Sequence, residues 1–270
     1  MLEVSVLFLT AIIVLAVALV VGIIGNIAGI GGGIIIVIFL IYVFKLSPLD
    51  AAGLSLLTIV FSSLSGLIQN TRKGLVDMRL FEVVAIAAVI GTIAGSVVTN
   101  YISPSTFKGI FSIIVICIGL FSVYSSRTQT RGGIEGHYVN PPHSPDIGAL
   151  SFIAGLISGF IGIGIGGIMG TYLTAIKRST PKIAFVSIIA AMFPVTVAGT
   201  AIHFYYTGFV NIFFAPPLVI GAVVGGILGS RVISKAPQTS LRFFQGYIII
   251  AFGILSAILY FISFYHNFLS

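Results

Sequence analysis

A chain of 270 residues that is 58% hydrophobic and 7% charged, with a mean hydropathy of +1.20, is not a soluble globular domain, in which charged residues make up about a quarter. Its net charge of +7 would suit nucleic acid in a soluble protein. Here the basic residues sit in short loops between apolar runs and set orientation in a lipid bilayer, so no nucleic-acid partner is expected. Cys117 is the single cysteine and lies inside an apolar run, which rules out an intrachain disulfide and a cysteine-based metal site; no metal or cofactor is expected.

Ten apolar runs follow in order, at about 4–24, 31–44, 51–70, 81–101, 106–124, 147–161, 164–176, 183–206, 212–231 and 243–265. Alternating ten-residue strands are absent, so the fold class expected is an all-α integral membrane protein rather than a barrel. The opening MLEVSVLFLTAII carries Glu3 and no early Lys or Arg, so it reads as a retained span and not as a signal peptide. The first run leads into GNIAGIGGG at 25–33, and the run after it is too short to cross a bilayer. Ser47-Pro48 supplies a cap and a first-turn proline for the third run. The polar, Gly- and Pro-rich segment at 127–146 reads as a linker, giving a first repeat at 1–126 and a second at 147–270. Its His137 and His143 read as solvated. The second half opens with 147–161, meets GFIGIGIGG at 159–167, and again continues as a short run. Thr180-Pro181 repeats the cap, and tyrosines near the span ends (Tyr42, Tyr101, Tyr124, Tyr205, Tyr206, Tyr260, Tyr265) suit an interfacial belt.

Shifting the sequence by 133 or 134 places superimposes its halves: Ser47-Pro48 on Thr180-Pro181, Gly66 on Gly199, Asn70 on His203, Gly91 and Gly95 on Gly225 and Gly229. Five runs per half is an odd number, so the second half enters from the opposite side, and the expected plan is an inverted-topology repeat with broken or re-entrant helices at the glycine motifs. Loop charges give the orientation. With the N-terminus outside, the inside loops hold eleven basic residues (Arg72, Lys73, Arg79, Arg127, Arg131, Lys177, Arg178, Lys182, Arg231, Lys235, Arg242) and the outside loops two (Lys45, Lys108). That bias predicts a multi-pass protein of the cell membrane with both termini outside.

Irregular backbone survives in hydrocarbon only beside protein or water. A helix broken at a glycine cluster points the N–H groups of the next half-helix, and the positive end of its dipole, at whatever fills the gap. Two such ends meeting from opposite faces form a site for a small anion without a buried Lys or Arg. The candidate substrate-binding residues are Asn26, Gly29, Gly31, Gly32 and Gly33 in the first cluster and Gly162, Gly164, Gly166 and Gly167 in the second. Ser62, Ser63, Gln69 and Asn70 join them from the third run of the first half, and Thr196, Thr200 and His203 from that of the second. His203, the single histidine in a run, is also the candidate proton carrier, with Asp77 and Glu82 at the edges. It lies near the outer end of its run, where contact with headgroups or water is the competing expectation. Glycines spaced by four, Gly91/Gly95 and Gly221/Gly225/Gly229, read instead as close helix packing.

Two five-run halves, each opening with a glycine cluster (GIGGG at 29–33, GIGIGG at 162–167), resemble the sulfite exporter TauE/SafE family over roughly residues 10 to 262. Two positions depart from the family pattern: Ile38 where proline is frequent, and Ile165 within the second triple glycine. The resemblance implies a secondary transporter, an exporter of small sulfur-containing anions such as sulfite or organosulfonates, with the lipid bilayer as its other partner. An anion channel and a permease for another small organic anion are the alternatives, and homo-oligomerisation is left open. No enzyme is expected: HExxH, an embedded Asp pair and a P-loop lysine are absent, and Ser158-Gly159 with His203 is the nearest approach to a catalytic dyad.

Overall fold

The computed structural model describes residues 2–129, 145–177, 179–208, 211–235 and 238–269; His137, His143 and most of the expected linker lie outside the described residues. Within them the chain forms α1 (Leu2–Ala28), α2 (Gly33–Tyr42), α3 (Pro48–Arg72), α4 (Met78–Thr99), α5 (Pro104–Gln129), α6 (Pro145–Ile161), α7 (Gly166–Ala175), α8 (Pro181–Thr207), α9 (Ala215–Lys235) and α10 (Gln238–Leu269). A single helical turn, Ile212–Phe214, leads into α9. No strand occurs among the described residues, as hydrocarbon requires of a chain that is not a closed barrel. Seven helices are long and apolar enough to cross a membrane, and α2, α6 and α7 are shorter. The ends of the expected linker are helical: residues 127–129 continue α5, and 145–146 open α6.

Local chemistry fixes the helix starts. Ser47 Oγ accepts the Asp50 N–H at 3.1 Å, and Pro48 takes the first position of α3, where no N–H is needed. Asp77 caps α4, its Oδ1 accepting the N–H groups of Arg79 and Leu80 at 3.0 and 3.2 Å. Asp77 is therefore committed to a helix end, and Glu82 is exposed, so neither lies inside the protein as a proton carrier.

Counterpart helices of the two halves pack in pairs. α3 runs antiparallel along α8, with Gly53 at His203 and Gly66 at Ile189. α5 runs antiparallel along α10, with Ser112 Oγ 2.8 Å from Ser256 Oγ and Gly119 against Ile250. The fourth helix of each half lies parallel to the first helix of the other. Gly221, Gly225 and Gly229 of α9 meet Leu15, Leu19 and Ile23 of α1 in turn, and Gly91 and Gly95 of α4 meet Phe152 and Leu156 of α6. At both contacts the neighbour of the glycine is backbone, so a missing Cβ, and not an apolar side chain, sets the helix spacing. Thr92 Oγ1 and Thr99 Oγ1 then donate across the α4–α6 contact to the carbonyls of Gly155 and Phe160, at 3.0 and 2.7 Å.

Two glycines of α6 make a controlled comparison. A Cβ on Gly155 would stand 2.8 Å from Ala88 Cα, whereas one on Gly148 would meet nothing within 4 Å. Gly155→Ala is expected to lower stability by about 1–3 kcal/mol. Gly148→Ala should raise it by up to about 1 kcal/mol through helix propensity. Opposite shifts in thermal unfolding of the detergent-solubilised protein are the check.

Candidate functional site

Both glycine clusters are sharp loops between a helix end and a short helix. Between α1 and α2, Gly29, Gly31 and Gly32 have φ of 67°, 75° and 81°; between α6 and α7, Gly162 and Gly164 have φ of 75° and 76°. An L side chain in this left-handed region costs roughly 1–2 kcal/mol per residue, which is why glycine fills these places. Ile165, the interruption in the second cluster, has φ −86° and so needs no glycine; its counterpart Gly32 does. The first loop is closed by the N–H groups of Ile30 and Gly31 donating to the Gly25 carbonyl at 3.0 and 3.1 Å.

The two loops interlock. A Cβ on Gly33 would stand 2.6 Å from the Gly162 carbonyl oxygen, and one on Gly166 would run into the Gly29 carbonyl and stand 2.8 Å from Ile30 Cα. The first residue of each short helix is therefore packed on the opposite loop. Ser55 Oγ, from α3, lies 2.6 Å from the Gly162 carbonyl and 3.2 Å from that of Gly33, joining the loops through one buried hydroxyl. Gln245 of α10 donates to the Gly166 carbonyl at 3.3 Å.

At the middle of the crossing, Gly31 and Gly164 each face the same two side chains, Ile59 of α3 and Met192 of α8, both fully buried. Gly31 and Gly164 are separated by 133 positions, and so are Ile59 and Met192. Pro194, inside α8, removes the N–H that would bond the Ala190 carbonyl just beside this point. The initial N–H groups of α2 and α7 have no acceptor within their own helices, and neither first turn contains an acidic residue. The crossing thus presents the positive ends of two helices inside an apolar shell.

The other candidate residues divide into two groups. Ser62, Ser63 and Thr196 are buried but donate to carbonyls of their own helices, those of Ile59, Val60 and Met192, at 3.3, 3.1 and 2.8 Å. Gln69 is half-buried, with Nε2 at 3.5 Å from the carbonyls of Ser65 and Ile227. Gly167 faces Ile118 and Ile249 in the packed interior. The second group keeps uncommitted polar atoms in buried positions. Asn26 donates from Nδ2 to Gly22 at 3.0 Å and leaves Oδ1 without a partner. Asn70 has no partner at either amide atom, nor does Thr200 at Oγ1.

His203 is 0% exposed, so the competing expectation of contact with headgroups or water does not hold for it. Gly53 makes the room, since a Cβ there would stand 2.9 Å from His203 Cβ. His203 Nε2 lies 2.8 Å from the Gly159 carbonyl oxygen, and Nδ1 has no partner. The histidine therefore bonds the Gly159 carbonyl and not Ser158 Oγ, which has no partner; a nucleophile–base contact is missing from the suspected dyad. Among the described residues no group of three or more His, Cys, Asp or Glu is placed to hold a metal ion.

A family model described as sulfite exporter TauE/SafE matches residues 14–256. The chain belongs to this family. Similar proteins include the "Probable membrane transporter protein YunE" of Bacillus subtilis, 27% identical over 90% of this chain and 95% of the relative. The "Probable membrane transporter protein MJ0441" of Methanocaldococcus jannaschii is 25% identical over 85% and 89%. The "Probable membrane transporter protein YfcA" of Escherichia coli K12 is 24% identical over 84% and 81%. No solved structure matches. This TauE/SafE member is thus a multi-pass membrane protein, and the names of the family and of these relatives indicate a transporter rather than an enzyme.

Sequence reasoning passed over four residues of the crossing: Ser55, Ile59, Met192 and Gln245. Ser55 sits about two turns before Ser62 on the same run, but only the fold shows that it reaches both loops. Ile59 and Met192 carry a readable signal, the repeat offset, yet as apolar residues of apolar helices they do not stand out.

Ser55→Ala leaves the carbonyls of Gly33 and Gly162 without that hydroxyl and is expected to cost about 1–3 kcal/mol. Gly32→Ala should cost at least about 1–2 kcal/mol through its left-handed backbone. Thermal unfolding in detergent measures both, and unchanged stability in Ser55→Ala would show that the loops hold each other without it.

Proposed function

We propose that this chain is a secondary transporter, an exporter of small sulfur-containing anions such as sulfite or organosulfonates, in which two inverted-topology repeats alternate in opening a central site. The observation that carries this reading is the meeting of two half-helix N-termini, α2 and α7, at interlocked glycine loops inside a membrane protein. That arrangement offers N–H donors and partial positive charge to an anion without a buried cation, which would cost roughly 2.5–3.5 kcal/mol on insertion. The antiparallel pairing of α3 with α8 and of α5 with α10 supports the inversion, because these are counterparts under the sequence offset. Family membership supports the substrate class.

In this reading the anion contacts the N–H groups of Gly32 and Gly33 and those of residues 163–167, since the N–H groups of Gly29, Ile30, Gly31 and Gly162 already donate to backbone carbonyls, with Asn26 and Asn70 on one side of the crossing and Thr200 and His203 on the other. Ile59 and Met192 fill the centre, and the thioether's flexibility suits a place that must be vacated when substrate passes. An inside-negative potential drives a monoanion outward with about 2.3 kcal/mol per 100 mV, so no coupling ion is required. The termini face outside, as the loop charges indicate.

In proteoliposomes, sulfite or an organosulfonate should show saturable flux that follows an imposed potential. Asn26→Ala should reduce it by about tenfold or more while the protein stays folded, the size of one lost hydrogen bond to a charged group, and Gly31→Ala should reduce it because its Cβ would stand 2.5 Å from Met192 Cε at the centre of the path. Flux linear in concentration would make the path a channel, and no flux of any sulfur anion would remove the substrate class. Orientation is checked separately: in a Cys117→Ser background, Lys73→Cys should react with a membrane-impermeant maleimide only after the cells are permeabilised, and Lys45→Cys before.

A further inference from the structure

The α6–α8 contact holds three polar side chains whose hydrogen-bonding capacity the protein does not use. His203, Ser158 and Thr200 are 0%, 0% and 8% exposed. His203 Nδ1, Ser158 Oγ and Thr200 Oγ1 have no partner. The 2.8 Å contact between His203 Nε2 and the Gly159 carbonyl brings α8 at residue 203 to α6 at residue 159. Ser158 adjoins that carbonyl in the chain, and Thr200 precedes His203 by about one helical turn, on a neighbouring part of the same face. Chain position thus puts both hydroxyl-bearing residues next to the residues of this contact, which lies about 16 Å from Met192 along α8 at 1.5 Å per residue.

The carbonyl fixes the roles. A carbonyl oxygen only accepts, so Nε2 carries the hydrogen, and in the neutral ring Nδ1 is left with a lone pair and no hydrogen. Nδ1 is an acceptor in need of a donor. The two hydroxyls each have a hydrogen to give, and neither is bonded back to its own helix, unlike Thr196. One acceptor beside two donors does not match a fully ionised oxyanion, which has only acceptors and would face the Nδ1 lone pair with its own. It matches an oxyanion that retains one hydrogen.

We propose that Ser158, Thr200 and His203 form a binding station for the monoprotonated form of the transported oxyanion, of the hydrogen sulfite type. Nδ1 accepts the ligand O–H while the two hydroxyls donate to its charged oxygens. This rests on the transport reading above and narrows its substrate: the species that crosses keeps its acidic hydrogen, and the protein selects against anions of equal charge that lack one. The corresponding positions of the other half are Gly25, Leu67 and Asn70, so the station is present on one side of the crossing only. Its selectivity cannot come from the repeat; it comes from residues added to one copy.

The test compares hydrogen sulfite with methanesulfinate, a monoanion in which a methyl group replaces the acidic O–H. Wild type should bind hydrogen sulfite about tenfold more tightly in calorimetric titration, the size of one hydrogen bond to a charged group. Thr200→Val, which keeps the side-chain shape, should weaken hydrogen sulfite by a similar factor. In protein labelled with 15N-histidine, the lone-pair Nδ1 resonance, assigned by its loss in His203→Gln, should move when hydrogen sulfite is added and stay still with methanesulfinate. Equal affinity for the two anions, or an Nδ1 resonance indifferent to saturating hydrogen sulfite, overturns the station and leaves the transport reading standing. Absence of any sulfur-anion binding and flux in wild type overturns both.

Discussion

Backbone N–H and C=O groups cannot be left bare in hydrocarbon, and every feature of this molecule answers to that constraint. The ten α-helices of the described residues satisfy it internally, but the two glycine loops interrupt their helices at buried positions. They are tolerated because each loop rests on the other: Gly33 against Gly162, Gly166 against Gly29, and Ser55 between them. A side chain at either contact glycine would push the loops apart and expose backbone that nothing else satisfies. The surrounding helices serve this junction. α3 and α8 clamp it through Ile59 and Met192, and α10 reaches in through Gln245.

The same absence of side chains has a different purpose at the periphery. Gly91, Gly95, Gly155 and Gly159 bring α4 and α6 into backbone contact, and Gly221, Gly225 and Gly229 do so for α9 and α1. Apolar side chains gain little by leaving lipid for protein, so close van der Waals contact and short hydroxyl–carbonyl bonds hold these pairs together. Each pair joins the first helix of one half to the fourth of the other, so neither half is a separate body.

An anion in a low-dielectric interior can be met by full charges or by oriented dipoles. Among the described residues the buried polar side chains are amides, hydroxyls and one histidine, with no Lys or Arg. Partial charges cost less to bury and hold an anion less tightly, which suits a protein that must release what it binds. The uncommitted atoms of Asn26, Asn70, Ser158, Thr200 and His203 extend this weak polarity to either side of the centre. They differ chemically on the two sides although the backbone repeats, so the two mouths of the proposed path treat a ligand differently.

The membrane location, the helical class, the ten apolar segments and the positions of both glycine loops are legible in the sequence, because hydropathy over twenty residues and glycine clustering are local properties. So is the capping at Ser47, whereas Thr180 makes no side-chain capping bond and the cap at Asp77 shows only in the structure. The sequence pattern also separates packing glycines from loop glycines by their spacing. It does not show that the loops touch, that Ser55 spans them, or that Ile59 and Met192 meet at their centre, since these contacts join residues more than a hundred positions apart. His203 illustrates the division. Its place near a helix end is a fact of sequence, but its burial depends on the missing side chain of Gly53 and the carbonyl of Gly159, which only the packing of α3 and α6 against α8 brings to it. Which polar groups are consumed by the fold and which remain for a ligand is a property of three-dimensional neighbours, and tertiary structure alone decides it.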